Sequence, residues 1–136
     1  MRESLSPKRW WERAMQDREI ARLAFKENAE ELAEAICCNC QEACEKMLKA
    51  YLLSTGWDLV RTHDLQVLGQ EAKKTLPAMN EVLSGLVDLT VDFMPTRYPF
   101  DAEEGFGVGD AERAISTVEQ LHALLKDAVP QASGTK

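Results

Sequence analysis

A continuous apolar stripe in the first half of the sequence constrains the fold more than any other feature. Its members recur at alternating spacings of three and four residues, which places them on one side of a long α-helix. They are Leu32, Ala33, Ile36, Cys37, Cys40, Ala43, Cys44, Met47, Leu48, Tyr51 and Leu52. The off-stripe pairs Glu42 with Lys46 and Glu45 with Lys49 have the favourable four-residue spacing of a helix. We therefore predict a central helix over residues 29–54, ended by Gly56.

Four other segments carry the same helical period. Ser6 and Pro7 form a helix-start pair, which predicts a helix over residues 7–26. Thr62 can cap a third helix from His63 to Lys74.

Pro77 stands in the first turn of a fourth helix, which is apolar on most sides and is expected to be central or at a subunit interface. Asp110 can cap the last of the predicted helices. No strand pattern appears. The sequence predicts an all-α fold, an antiparallel up-and-down helical bundle of four to five helices.

Length and charge limit the classes of protein that remain. The 136 residues fit a single domain, predicted over 1–129, with a flexible tail over 130–136. The net charge is −7, although residues 1–26 hold seven basic and four acidic side chains, or +3. This acidity argues against tight non-specific binding of nucleic acid. No run is apolar enough for a membrane span or a secretory signal, so we expect a cytoplasmic protein with no membrane partner.

Four cysteines crowd into one short stretch, Cys37, Cys38, Cys40 and Cys44. A disulfide framework needs cysteines spread along the chain, so reduced thiols are expected here. Three of them lie in the apolar stripe, which favours core packing over metal binding because one straight helix cannot surround a zinc ion. No metal site and no cofactor are predicted. A zinc site shared across a dimer stays open.

The polar sequence that follows Gly56 offers the most concentrated chemistry. Arg61 can bind a phosphate through two parallel hydrogen bonds, and Asp64 can orient the imidazole of His63. The alternative is that Thr62 and Asp64 only cap the helix while His63 faces water. The other histidine, His122, lies at the border of an apolar stripe and is expected to be a packing residue.

These motifs together resemble the HEPN family (higher eukaryotes and prokaryotes nucleotide-binding domain). The similar segments are CCNCQEACEKMLKA at 37–50, Gly56, RTHDL at 61–65 and TRYP at 96–99, within a likeness that runs from about Trp11 to Lys126. The resemblance implies an antiparallel helical bundle that commonly dimerises. It also implies pairing with a small nucleotidyltransferase, in a toxin–antitoxin setting, and association with nucleotides or RNA.

The chain departs from the ribonucleases of this family in one pattern. They carry an Arg followed by a His after four to six residues, whereas Arg61 and His63 are separated by one residue, and Arg113 and His122 by eight. Asn39 also stands where many relatives carry a histidine. We therefore expect a non-catalytic domain that binds nucleotide, RNA or a nucleotidyltransferase as a homodimer.

The residues expected to bind the ligand are Asn39, Lys46, Arg61, His63 and Asp64, with Arg97 and Tyr98 closing over them from a long loop. Two alternatives stay open. One is a metal-independent ribonuclease toxin, with His63 as general acid and base and Arg61 or Arg97 stabilising the phosphorane. The other is a purely structural dimerisation module.

Overall fold

The computed structural model describes residues 6–56, 62–92 and 106–129. These residues form five α-helices and one 3-10 helix, and no strand occurs among them. The helices are α1 (Pro7–Asn28), α2 (Ala33–Ser54), α3 (Leu65–Lys73), α4 (Leu83–Asp92) and α5 (Val108–Leu125), with the 3-10 helix (Pro77–Val82) directly before α4. The predicted all-α antiparallel bundle is confirmed.

Helix α2 lies at the centre of the bundle. It packs along α1 on one side and against α5 and α3 on others. The predicted stripe is buried as expected, from Ala33 to Leu52, and only Leu32 at its start is partly exposed. Because the apolar face of α2 is shared by three neighbouring helices, most of its circumference is covered. This central position explains why polar residues on α2 can also become buried.

Helix ends account for most of the differences from the predicted boundaries. Helix α1 begins as predicted, because the Ser6 Oγ accepts a hydrogen bond from the Arg9 N–H at 3.2 Å. Helix α2 begins at Ala33, later than the predicted residue 29, because residues 29–32 form the turn that reverses the chain. Gly56 ends this region with φ +93°, a left-handed conformation that glycine adopts without steric cost.

Helix α3 begins two residues later than predicted. Its N-cap is Asp64, whose Oδ1 accepts a hydrogen bond from the Gln66 N–H at 2.9 Å. The Thr62 Oγ1 instead accepts from the Asp64 N–H at 3.1 Å, so Thr62 shapes the approach to the helix. His63 therefore lies in the extended segment before α3 and not inside the helix.

The last helix also differs at its start. Helix α5 begins at Val108 with Gly107 as N-cap, and Asp110 lies in its first turn. The Oδ2 of Asp110 accepts a hydrogen bond from the Gly107 N–H at 2.8 Å, so Asp110 satisfies a helix-start donor from inside the helix. The segment predicted as a single fourth helix is divided into the 3-10 helix and α4, which pack between α3 and α5.

Candidate functional site

Three polar side chains of α2 are buried in a row. Gln41, Glu45 and Lys49 are spaced four residues apart, so they lie above one another on one side of the helix. Their exposed fractions are 4%, 8% and 5%. Buried polar groups are costly unless they are hydrogen-bonded or paired. The partners of this row therefore define the site.

His63 is the principal partner of the row. The Oε2 of Glu45 lies 2.8 Å from the Nδ1 of His63 and also accepts a hydrogen bond from the Lys49 Nζ at 2.8 Å. A carboxylate paired with an ammonium group is an acceptor only, so the proton of this contact belongs to Nδ1 of the imidazole. The His63 side chain is 84% exposed. The other ring nitrogen, Nε2, is therefore the atom that His63 offers to a ligand.

The backbone around His63 is also held in place. The Gln41 side chain donates a hydrogen bond from Nε2 to the His63 carbonyl oxygen at 3.1 Å. The capping bonds of Thr62 and Asp64 fix the next residues at the entrance of α3. Both the ring and the main chain of His63 are thus bonded to α2, which gives the exposed imidazole a defined orientation.

The first turn of α1 covers the other side of the row. The Lys49 ammonium lies 5.3 Å from the ring centroid of Trp10, within the range of a cation–π contact. The indole Nε1 of Trp10 is buried and has no hydrogen-bond partner in the described ranges. Lys49 is consequently held between a carboxylate and an aromatic face, and its charge is neutralised by Glu45.

The contact between Glu45 and His63 determines what the imidazole can do chemically. A carboxylate that accepts from Nδ1 fixes the tautomer of a histidine and stabilises the imidazolium when the ring is protonated. In that charged form Nε2–H donates to an anionic oxygen, and in the neutral form Nε2 accepts a proton. His63 can therefore bind a phosphate oxygen or transfer a proton, and the geometry is compatible with both.

The structure places the predicted site residues in different surroundings. His63 and Asp64 are adjacent on the segment before α3, but the carboxylate that bonds the imidazole is Glu45, and Asp64 caps α3. Lys46 is bound elsewhere: its Nζ lies 2.7 Å from Asp17 Oδ2 of α1 and 3.6 Å from Glu42 Oε1. Lys46 thus ties α2 to α1.

Asn39 is not brought to His63 either. It precedes Gln41 by two positions, which corresponds to about 200° around a helix, so its side chain leaves α2 in nearly the opposite direction. Arg61, Arg97 and Tyr98, the other residues expected at the site, lie outside the described residues.

The sequence interpretation missed the buried partners of His63. Glu45 and Lys49 have the four-residue spacing of an ordinary ion pair on a helix, and this spacing does not indicate that the pair is buried. The signal that identifies them is the third member, Gln41, because it extends the polar row to three consecutive turns on a helix that is otherwise apolar around most of its circumference.

The second histidine has a packing role, as expected. His122 stacks on Trp11 with 5.8 Å between the ring centroids and 28° between the planes. Burial, and then the nearby Arg18, lower the pKa of His122. Arg18 itself donates two hydrogen bonds to Glu119, at 2.9 and 2.8 Å, and these bonds lower the pKa of that carboxyl.

The cysteine cluster divides as the stripe predicts. Cys37, Cys40 and Cys44 are fully buried in the core, and Cys38 is half-buried at its edge. Burial raises the pKa of the Cys38, Cys40 and Cys44 thiols, which favours their neutral form. No group of three or more metal-ligating side chains occurs in the part of the chain that the structure describes.

The fold and the site together define a small antiparallel helical domain with an exposed histidine supported by a buried carboxylate. The HEPN domain family matches this chain over residues 7–128. The chain belongs to the HEPN domain family.

A solved structure described as ST0689, an archaeal HEPN homologue, has a similar fold. Its TM-score is 0.74 at 24% sequence identity, and the match covers 93% of this chain and 99% of the archaeal one. No curated protein matches this chain. Within the described ranges, no helix has both the length and the apolar character that a membrane crossing requires.

Proposed function

We propose that this HEPN domain binds a phosphate-bearing ligand, a nucleotide or an RNA, through the exposed Nε2 of His63. The observation that carries the proposal is the hydrogen bond from His63 Nδ1 to the buried Glu45 carboxylate. This bond holds the imidazole with Nε2 facing solvent, and when the ring is protonated the Nε2–H donates a charge-assisted hydrogen bond to a phosphate oxygen. A surface histidine without a binding role would not need a hydrogen bond to a carboxylate that is only 8% exposed.

The charge around His63 favours a small or locally bound ligand over a long polyanion. Glu45 and Lys49 neutralise each other, and Asp64 is acidic. The whole chain carries −7, so bulk nucleic acid is repelled while a phosphate placed against the imidazole is not. Arg61, two positions before His63 in the sequence, is the proposed second cation. Arg97 and Tyr98 are proposed to contact the phosphate and the base.

The test is a titration of the purified chain with AMP, ATP and a short single-stranded RNA, followed by amide NMR. We expect shifts at the amides of residues 62–66 and at the His63 ring. His63→Ala should abolish them. The control is Lys74→Ala, which removes a positive charge from an exposed ion pair with Glu71 and should leave the titration unchanged. Shifts of equal size in the His63→Ala protein would contradict the proposal.

The assembly proposed with this function is a homodimer that pairs with a small nucleotidyltransferase, as family membership suggests. Co-expression of the chain with a nucleotidyltransferase encoded by a neighbouring reading frame, followed by co-purification, tests the pairing. A chain that elutes without that protein at every salt concentration would remove the partner from the proposal.

A second candidate function is metal-independent RNA cleavage. The observation that favours it is the same Glu45 contact, because a carboxylate that orients a histidine is the arrangement used for general acid and base catalysis. In this scheme His63 transfers the proton and Arg61 or Arg97 stabilises the phosphorane. It predicts cleavage of RNA in the presence of a metal chelator and loss of cleavage in His63→Ala. RNA that stays intact with micromolar protein would exclude this candidate and leave the binding proposal standing.

A further inference from the structure

Two side-chain contacts join α1 to α5, and we call the surface around them the α1–α5 seam. The Arg18 guanidinium donates two hydrogen bonds to the Glu119 carboxylate, at 2.9 and 2.8 Å. The His122 ring stacks on Trp11, with 5.8 Å between the ring centroids. Trp11 is buried, whereas His122 is partly exposed. The imidazole is therefore supported from inside and accessible from the solvent side of the seam.

Positive charge is concentrated around His122. Burial is the largest cause of the lowered pKa of His122, and the charges of Arg18, Lys126 and Arg22 lower that pKa further, whereas Glu119 raises it. Arg22 follows Arg18 by one helical turn on α1, and Lys126 follows His122 by one turn on α5. Three cations against one carboxylate give the seam a charge of +2, in a chain whose net charge is −7.

Two of these three cations are available to a ligand. Arg22 is exposed, and none of the ion pairs among the described residues includes it. Lys126 is 49% exposed, and its contact at 3.5 Å is with the adjacent Asp127, which is 82% exposed, so this pair is weak. Arg18 is already neutralised by Glu119. An anion at the seam therefore meets two cations whose charges are not compensated inside the fold.

We propose that the α1–α5 seam binds a doubly charged phosphate group, with Arg22 and Lys126 as its cations and the His122 imidazole as a third donor. A phosphate has three oxygens for these three donors, whereas a carboxylate has two. Its charge favours the protonated imidazole, so binding takes up a proton at His122. On α2 the titratable group that Glu119 acts on is the Cys40 thiol, which burial keeps neutral. The proposal does not rest on ligand binding at His63.

The test is a titration of the His63→Ala protein with sulfate, inorganic phosphate and AMP, followed by NMR of the amides and the imidazole. His122 is the one histidine that this variant keeps, so the ring signal is unambiguous. Sulfate stays doubly charged, and its dissociation constant should fall about tenfold from about pH 8 to about pH 5.5 as His122 is protonated. All three anions should shift the ring. Equal affinities for phosphate and AMP would identify the phosphate group alone as the ligand, and tighter binding of AMP would identify a nucleotide.

Substitutions at the seam separate binding from packing. Arg22→Gln and Lys126→Gln each remove one exposed cation and should each raise the dissociation constant of sulfate about tenfold. Arg13→Gln is the matched control, because Arg13 is an exposed arginine of α1 that is not among the charges acting on His122. His122→Gln should bind sulfate equally at both pH values. No shift of the His122 ring with any of the anions, equal effects of Arg13→Gln and Arg22→Gln, or a pH dependence that persists in His122→Gln would each overturn the proposal.

Discussion

The buried ion pair of Glu45 and Lys49, which lies beneath His63, leads to a prediction about the stability of the fold. Replacing Lys49 by Met keeps an unbranched side chain of similar length against Trp10 but removes the charge that Glu45 compensates. Glu45 is then left as a carboxylate that is 8% exposed, with His63 as its remaining partner. Removing one member of a buried pair costs about 3–5 kcal/mol. Because His63 still donates to Glu45, we take about 2.5 kcal/mol for Lys49→Met, just below that range.

This magnitude is measurable by urea denaturation followed by far-ultraviolet circular dichroism. With a slope of about 2 kcal/mol per molar urea for a domain of this size, the midpoint should fall by about 1.2 M. The control is Lys74→Met, which removes a lysine from the exposed pair with Glu71 and should cost less than about 0.5 kcal/mol. Equal midpoints for the two variants would show that the Glu45 and Lys49 pair is not buried as the structure places it.

Further predictions concern glycines and one histidine. A Cβ on Gly85 would lie 2.5 Å from the Thr117 Oγ1, so Gly85→Ala should lower the free energy of unfolding by about 1–3 kcal/mol in the same assay. Gly109→Ala, in the open first turn of α5, should be neutral or slightly stabilising. Gly56→Ala should cost about 1 kcal/mol because φ is +93°. The lowered pKa of His122 means that the unfolded chain binds its proton more tightly. The contribution of His122 to stability is complete above its ordinary pKa of 6.5 and is lost as the pH falls toward its lower pKa in the folded chain. His122→Gln should remove this loss from a plot of the free energy of unfolding against pH.

The helices could be predicted from the sequence where one residue pattern dominated. The stripe of α2 is long and uninterrupted, so its buried side followed directly from spacing. The start of α3 could not be assigned in this way, because Thr62 and Asp64 are both good N-cap residues and the bond from the Gln66 N–H to Asp64 decides between them. Local sequence preference therefore predicts the existence of a helix more securely than the residue at which the helix begins.

The candidate site could be predicted only in part, because its buried residues depend on contacts between distant segments. His63 could be singled out because few titratable residues were available and it stood beside Arg61 and a helix start. Its partner Glu45 could not, because burial of an off-stripe position depends on what covers it. The cover comes from Trp10 in the first turn of α1 and from the segment before α3, which lie far from Glu45 in the sequence. Residues that face solvent in an isolated helix thus become the base of a site in the bundle.

A buried ion pair is weak support for stability, because an apolar pair of similar volume is often as stable or more so. This comparison separates a structural role of Glu45 and Lys49 from a role in the site. We expect the double variant Glu45→Leu with Lys49→Met to recover most of the stability that Lys49→Met loses, since no buried charge is left uncompensated. The same variant should lose the nucleotide-dependent shifts at residues 62–66, because the imidazole has lost the acceptor that orients it.

Measuring unfolding and titration on that one double variant distinguishes the two roles. Recovered stability with lost binding means that the polar row serves His63 and not the fold. A double variant less stable than Lys49→Met would assign the pair to the fold instead. In that case the hydrogen bond to Nδ1 would be a by-product of packing, and the support it gives to ligand binding would be withdrawn.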